Sequence, residues 1–197
     1  MVTSTRRATI RDLDAIPDDG NQYELLNGVI TMAAAPTWKH QLTSRAIFLL
    51  INGWVEQHGL GDTLFAPVDV ILDDENVLQP DLIFVDEVHL ANVRSGRLRG
   101  TPQLIVEVIS PTSRSRDSVE KPMRYALAGA AEYWLVDPQL ETVAVFTLMD
   151  SLYGELPPDA DNVIHSAVLP GLTVRPTELF AAVDERMSRT TRSHADE

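Results

Sequence analysis

Two carboxylates stand where strand-forming sequence should hold only apolar side chains. Glu107 interrupts the run Leu104-Ile105-Val106-Glu107-Val108-Ile109. Asp81 interrupts Val77-Leu78-Gln79-Pro80-Asp81-Leu82-Ile83-Phe84-Val85. An unpaired carboxylate leaves water at great cost, so each acid must be protonated, paired or bound to a cation. Alternation along a strand sets Gln79 and Asp81 on one face, and Ile105, Glu107 and Ile109 on one face. If the two strands are neighbours, the acids converge and repel unless a proton or a cation intervenes. Hard oxygen ligands in small number suit magnesium, which keeps several waters, with manganese as the expected substitute. A metal held in this way activates water and offsets charge on a phosphate oxygen.

Other residues can complete such a site. Glu24, in Tyr23-Glu24-Leu25-Leu26, is a third acid in an apolar setting. Lys121 falls on the helix expected after the Glu107 strand, where an amine can orient water or offset developing negative charge. Tyr125, four residues on, shares its helical face. His40 opens the longest helix and can line a pocket. Each has an ordinary alternative. Asp81, after Pro80, can be a strand-edge acid, and Glu107 can pair with a nearby arginine. Lys121 can pair with Asp117 at i, i+4 on the surface, the favoured reading for Lys121 alone. For Asp81 with Glu107 a shared site is favoured, because both are set in apolar strands.

The elements that would position these groups follow from periodicity and turn chemistry. Residues 23–34 read as a hairpin turning at Asn27-Gly28. Leu42, Ala46, Leu49, Leu50 and Trp54 recur at helical spacing and predict a helix over Trp38–His58, ended by Gly59 and Gly61. Strands are expected at 64–72 and 77–85, a short helix at 87–93 and a basic loop at 94–102. The Glu107 strand then leads to a helix over 117–128, with Asp117 and Glu120 as a capping box and Gly129 as its end. Pro122 sits awkwardly in that helix. Strands at 133–137 and 142–148, a hairpin-like region at 151–168 and a helix at 176–183 complete the order.

Composition narrows the possibilities. The chain has 197 residues, 44% hydrophobic, enough for one ordinary core. It has no cysteine, which excludes disulfides and thiolate zinc sites and favours a cytoplasmic setting. No His-x-x-x-His spacing, P-loop, Gly-x-Gly-x-x-Gly or Gly-x-Ser-x-Gly occurs. No apolar stretch is long enough to span a bilayer. The net charge of −13 argues against broad, nonspecific nucleic-acid binding. Residues 94–124 depart from it, with seven basic residues against three acids around Glu107. Such a stretch is a candidate rim for a phosphate-bearing ligand, although by itself the favoured reading is a solvated surface loop.

Taken in order, several short elements resemble one family. They are Tyr23-Glu24-Leu25-Leu26-Asn27-Gly28, His40-Gln41, Ala66-Pro67-Val68-Asp69-Val70, Gln79-Pro80-Asp81-Leu82 and Val106-Glu107-Val108-Ile109-Ser110-Pro111. Arg116-Asp117, Lys121, Tyr125, Gly129 and Glu132-Tyr133-Trp134-Leu135-Val136-Asp137-Pro138 follow. The set resembles the Uma-type family of bacterial restriction endonucleases, in the PD-(D/E)XK, or restriction-endonuclease-like, superfamily. The resemblance implies an α/β (α+β) fold, a central mixed β-sheet flanked by helices. Residues 1–187 would form a single nuclease-like domain, and 188–197 a polar, disordered tail. Asp81 and Glu107 look like the paired acids of the superfamily, binding magnesium with Glu24 and the Val108 carbonyl, while Gln79, His40 and Tyr125 line the pocket. Two residues after Glu107, where the superfamily places lysine, stands Ile109, and Lys121 looks like its replacement from the next helix. The implied activity is magnesium-dependent endonuclease cleavage of nucleic acid, DNA in the first instance, by a cytoplasmic protein that analogy would make a homodimer. The alternative is a catalytically inactive nuclease-fold module that binds nucleic acid or protein.

Overall fold

The computed structural model describes residues 6–193. After α1 (Ile10–Asp14) come β1 (Tyr23–Leu26) and β2 (Val29–Met32), then α2 (Trp38–His58). The β1–β2 turn is the expected one. Asn27 and Gly28 take φ of 56° and 73°, the pair of left-handed residues that a tight hairpin of this hand requires. α2 has the expected bounds, with Thr37 accepting from the His40 N–H at its start and Gly59 in the left-handed region at its end.

The two strands expected at 64–72 and 77–85 are each broken in two. β3 (Gly61–Phe65) and β4 (Asp69–Asp73) replace the first, and β5 (Asn76–Leu78) and β6 (Leu82–Asp86) the second. Pro67 and Pro80 lie in the gaps. Neither has an N–H to give a ladder, and at each the chain leaves one sheet for another. The basic segment is a small hairpin, β7 (Val93–Arg94) and β8 (Arg97–Arg99), rather than a loop, and the helix expected at 87–93 shrinks to a 3-10 turn at Leu90–Asn92. β9 (Leu104–Val108), α3 (Lys121–Ala128), β10 (Glu132–Asp137), β11 (Thr142–Met149) and β12 (Leu152–Leu156) follow. A minor pair, β13 (Ile164–His165) and β14 (Thr173–Val174), precedes α4 (Pro176–Ser193). That helix passes the expected end at 183 and takes in the first part of the polar segment 188–197. Positions 194–197 of that segment lie outside the described residues.

The strands form two six-stranded sheets, ordered β2-β1-β5-β4-β8-β7 and β12-β11-β10-β9-β6-β3. The second is the expected mixed sheet, with β9 and β10 parallel and its other pairs antiparallel. α2 and α4 cover one face, where Ile47, Ile51, Val106, Trp134 and Phe180 share a core. The opposite face carries Ile83, Ile105 and Tyr133, packed with Tyr125 of α3 and with Val70, Leu78 and Leu98 of the first sheet. The first sheet is thus an extra layer, closed at its far side by α1 through Leu13, Leu25 and Val77. Among the described residues no helix is long and apolar enough to cross a membrane.

α3 is entered through a π-helical turn at Arg116–Glu120. Pro122 has no N–H to continue an ordinary ladder, and the wider turn before it takes up the misfit. The capping box expected of Asp117 and Glu120 does not form, since Asp117 is turned inward and buried.

Candidate functional site

β6 and β9 are antiparallel neighbours, with Leu82 opposite Val106. One step further along that register sets Asp81 opposite Glu107, so the two acids share a face as alternation requires. Asp81 lies just before β6 and takes over part of the ladder with its side chain, accepting the Val108 N–H at Oδ2 (2.7 Å). His40 Nε2 is 3.4 Å from the same oxygen. Burial alone would lower the His40 pKa, but Asp81 and the Val108 carbonyl more than offset it and raise the value.

Glu107 is buried, and its Oε1 accepts from Lys121 Nζ (3.0 Å) and from the Tyr125 hydroxyl (2.9 Å). Both donors come from one face of α3. The Lys121 amine also lies 2.9 Å from Glu24 Oε1 and 3.3 Å from Asp117 Oδ1. Glu24 is filled on both oxygens: Oε1 also accepts the Gln79 N–H (2.9 Å), and Oε2 accepts Arg116 Nη2 (2.5 Å). Four acids therefore face Lys121, Arg116 and His40. Burial raises the Glu107 pKa, against the opposing pull of Lys121, and Asp117, Asp81 and Glu24 push it the same way as burial. Asp117 is raised by burial as well. Burial works against the Lys121 charge, but Glu107, Glu24 and Asp117 outweigh it and move its pKa upward. The surrounding acids thus favour the charged form of Lys121.

The cluster floors a cleft of about 620 Å³. Glu24, Gln79, Asp81, Glu107, Lys121 and His40 all line it, and Val108 does too. Tyr125 does not; it is fully buried behind Glu107. The expected surface pair of Lys121 with Asp117 exists, but inside the protein, so the pair and the site are one structure. Asp117 and Arg116 were not foreseen as site residues. The i, i+4 spacing to Lys121 was the visible signal for Asp117, and only its burial gives that spacing a different meaning.

The seven basic residues around Glu107 do not make a rim. Arg97 pairs with Asp14 and Asp69, Arg114 with Asp137, and Arg124 bonds Asn27. Only Arg116 and Lys121 of that stretch reach the cleft, joined there by Arg45 of α2.

A family model described as "Putative restriction endonuclease", Uma2, matches residues 10–179. The chain belongs to the Uma2 family. A crystal structure of a "putative nuclease belonging to DUF820" from Anabaena variabilis ATCC 29413 has the same fold, with a TM-score of 0.75 at 18% identity, over 89% of this chain and 98% of that one. No curated protein matches.

In this Uma2 chain the donor set bears on metal binding. Among the described residues no group of three or more His, Asp or Glu converges closely enough to cage an ion. Hydrogen bonds engage Oδ2 of Asp81 and Oε1 of Glu107, and the second oxygen of each has no hydrogen bond among the described residues. Two free carboxylate oxygens beside a water-accessible cleft fit magnesium, which takes few protein ligands and completes its shell with water. Glu24, with both oxygens taken, fits the part of anchor for Lys121 and Arg116 better than that of a ligand. The Val108 carbonyl lies against the His40 ring.

Proposed function

We propose that the protein is a magnesium-dependent nuclease that hydrolyses phosphodiester bonds, with DNA the first substrate to test. The observation that carries this reading is the convergence of Asp81 from just before β6, Glu107 from β9 and Lys121 from α3 at the floor of one cleft. Asp81 and Glu107 would hold the ion, which supplies an activated water and stabilises charge on the scissile phosphate. The rest falls to the chain's own groups. Lys121, held charged by its acidic neighbours, places a fixed positive charge beside Glu107, where negative charge on phosphate would develop. Tyr125 fixes the Glu107 rotamer from behind, and Glu24 fixes the Lys121 amine. Asp117 adds a third anchor to that amine. His40 steadies Asp81 from α2. Lysine therefore serves from α3 in place of position 109, where Ile109 can donate nothing.

One observation favours a second reading, a nuclease scaffold that binds without cutting. An ammonium has three N–H donors, and three carboxylates already surround the Lys121 amine. Cleavage assays on labelled DNA and RNA with magnesium or manganese separate the two. The enzyme reading expects metal-dependent cleavage, lost with chelator and in Asp81→Asn and Glu107→Gln. Cleavage that survives Glu107→Gln sinks the site assignment. Magnesium binding without any cleavage supports the scaffold.

A further inference from the structure

The cleft is chemically two-sided. Its floor is ionic, but Met32, Phe48 and Phe65 lie along its walls. Phe65 is 64% exposed, an open aromatic ring at the end of β3. It pairs in register with Leu82, and the next residue, Ala66, donates its N–H to the Asp81 carbonyl (3.0 Å). The Phe65 backbone is therefore fixed next to that of Asp81, and both residues line the cleft. Phe48 of α2 meets the Phe65 ring edge to face, with centroids 5.2 Å apart, and so holds its orientation.

The charge beside this ring is sparse. Holding a duplex takes many cations against phosphate. Here Lys121 and Arg116 are spent on carboxylates, and the whole chain carries −13. Arg45 is the exposed arginine of the cleft with no ion pair among the described residues. It stands beside Ser44, which with His40 and Phe48 recurs in four-residue steps along the side of α2 that faces the cleft. One cation without an ion pair among the described residues and one bare aromatic ring in the same cleft suit a single phosphate flanked by an unstacked base. Every base offers a π face to such a ring, whereas paired bases in a duplex keep theirs covered.

We propose that the substrate is single-stranded nucleic acid, with a base stacked on Phe65 and the adjoining phosphate drawn past Arg45 to the Asp81–Glu107 pair. This deepens the proposed function and rests on its reading of the cleft as a nucleic-acid site. Two measurements on the full chain test it. One is fluorescence anisotropy of a labelled oligonucleotide, as a single strand and as its duplex, without added metal. The other is cleavage of both with magnesium or manganese.

The single strand should bind about tenfold or more tighter than the duplex, and Phe65→Leu should lose about that factor while Phe65→Trp keeps it. Leucine retains apolar bulk without a flat face, so stacking is what the pair of variants reads. Equal binding of duplex, or Phe65→Leu indistinguishable from the parent, overturns the proposal. Metal-dependent cleavage without a single-strand preference overturns it too, but leaves the nuclease reading standing. Single-strand binding that depends on Phe65, with no cleavage under either metal, supports the stacking site and sinks the nuclease. If neither form binds or is cut, both fall.

Discussion

Two buried glutamates sit on neighbouring parallel strands, Glu107 on β9 and Glu132 on β10, and they are held in opposite ways. Among the described residues Glu132 is met by four neutral donors and no cation. Trp134 Nε1 (2.6 Å) and Ser166 Oγ (2.8 Å) reach Oε1, while the N–H groups of Ala167 (2.5 Å) and Val168 (3.1 Å) reach Oε2. Both oxygens are filled, and the carboxylate ties the 166–168 turn to the sheet. Among the described residues Glu107 has donors on one oxygen only, sits among three other acids and opens on a cleft. Burial of an acid is therefore no sign of function by itself. What separates the two is whether the surroundings finish the carboxylate's hydrogen bonds or leave them for something else.

The contrast breaks hardest at Lys121. Lys121→Met leaves Glu24, Glu107 and Asp117 together without their shared cation, and should cost about 3–5 kcal/mol in denaturant unfolding. The loss should ease as pH falls. Burial raises the pKa of Glu107 and Asp117, so the folded chain holds those protons more tightly than the unfolded one. Their contribution is fullest below the unfolded carboxyl values and is lost as pH rises through the raised ones. An unfolding series on this variant from acid to neutral pH checks the sign.

Next come the two glutamates themselves, whose amide variants should give crossed results. Glu107→Gln should lower cleavage by about a hundredfold or more and move stability by no more than about 1 kcal/mol. Glu132→Gln should cost about 2–3 kcal/mol, because an NH2 group replaces an acceptor facing donors, while rates per folded molecule hold. Equal stability losses in both would erase the distinction. Magnesium offers a finer check: it should raise the melting temperature of the parent and of Glu132→Gln, but not of Glu107→Gln. The smallest effect belongs to Tyr125→Phe, about 1 kcal/mol for one buried hydrogen bond, read by the same denaturant titration.

Much of this was readable in the sequence where signals are local. The α2 periodicity, the Asn27-Gly28 turn and the acids of β6 and β9 each announce themselves within a few residues. Alternation gave the faces of Asp81 and Glu107, and their convergence needed only that the two strands be neighbours. The sheet changes at Pro67 and Pro80 were hidden because an apolar run looks the same on either side of a break. Asp117 was seen as a cap because nothing near it in sequence shows that its side chain turns inward. The basic stretch misled for the same reason: the partners of Arg97, Arg114 and Arg116 lie far away in the chain. Glu132 carried a visible signal, an acid at the start of a strand, but its donors at 166–168 are distant.

The passage of the chain between its two sheets has a consequence for how the protein is made. Glu24 belongs to the first sheet, Glu107 to the second, and Asp81 to the strand break that joins them, while the amine shared by Glu24 and Glu107 comes later, on α3. On the ribosome, those three acids emerge before Lys121 does. Until α3 has been made and docked, nothing from it neutralises the acids, and no site is assembled. The cluster around Lys121 is thus completed only after synthesis has moved well past the acidic residues.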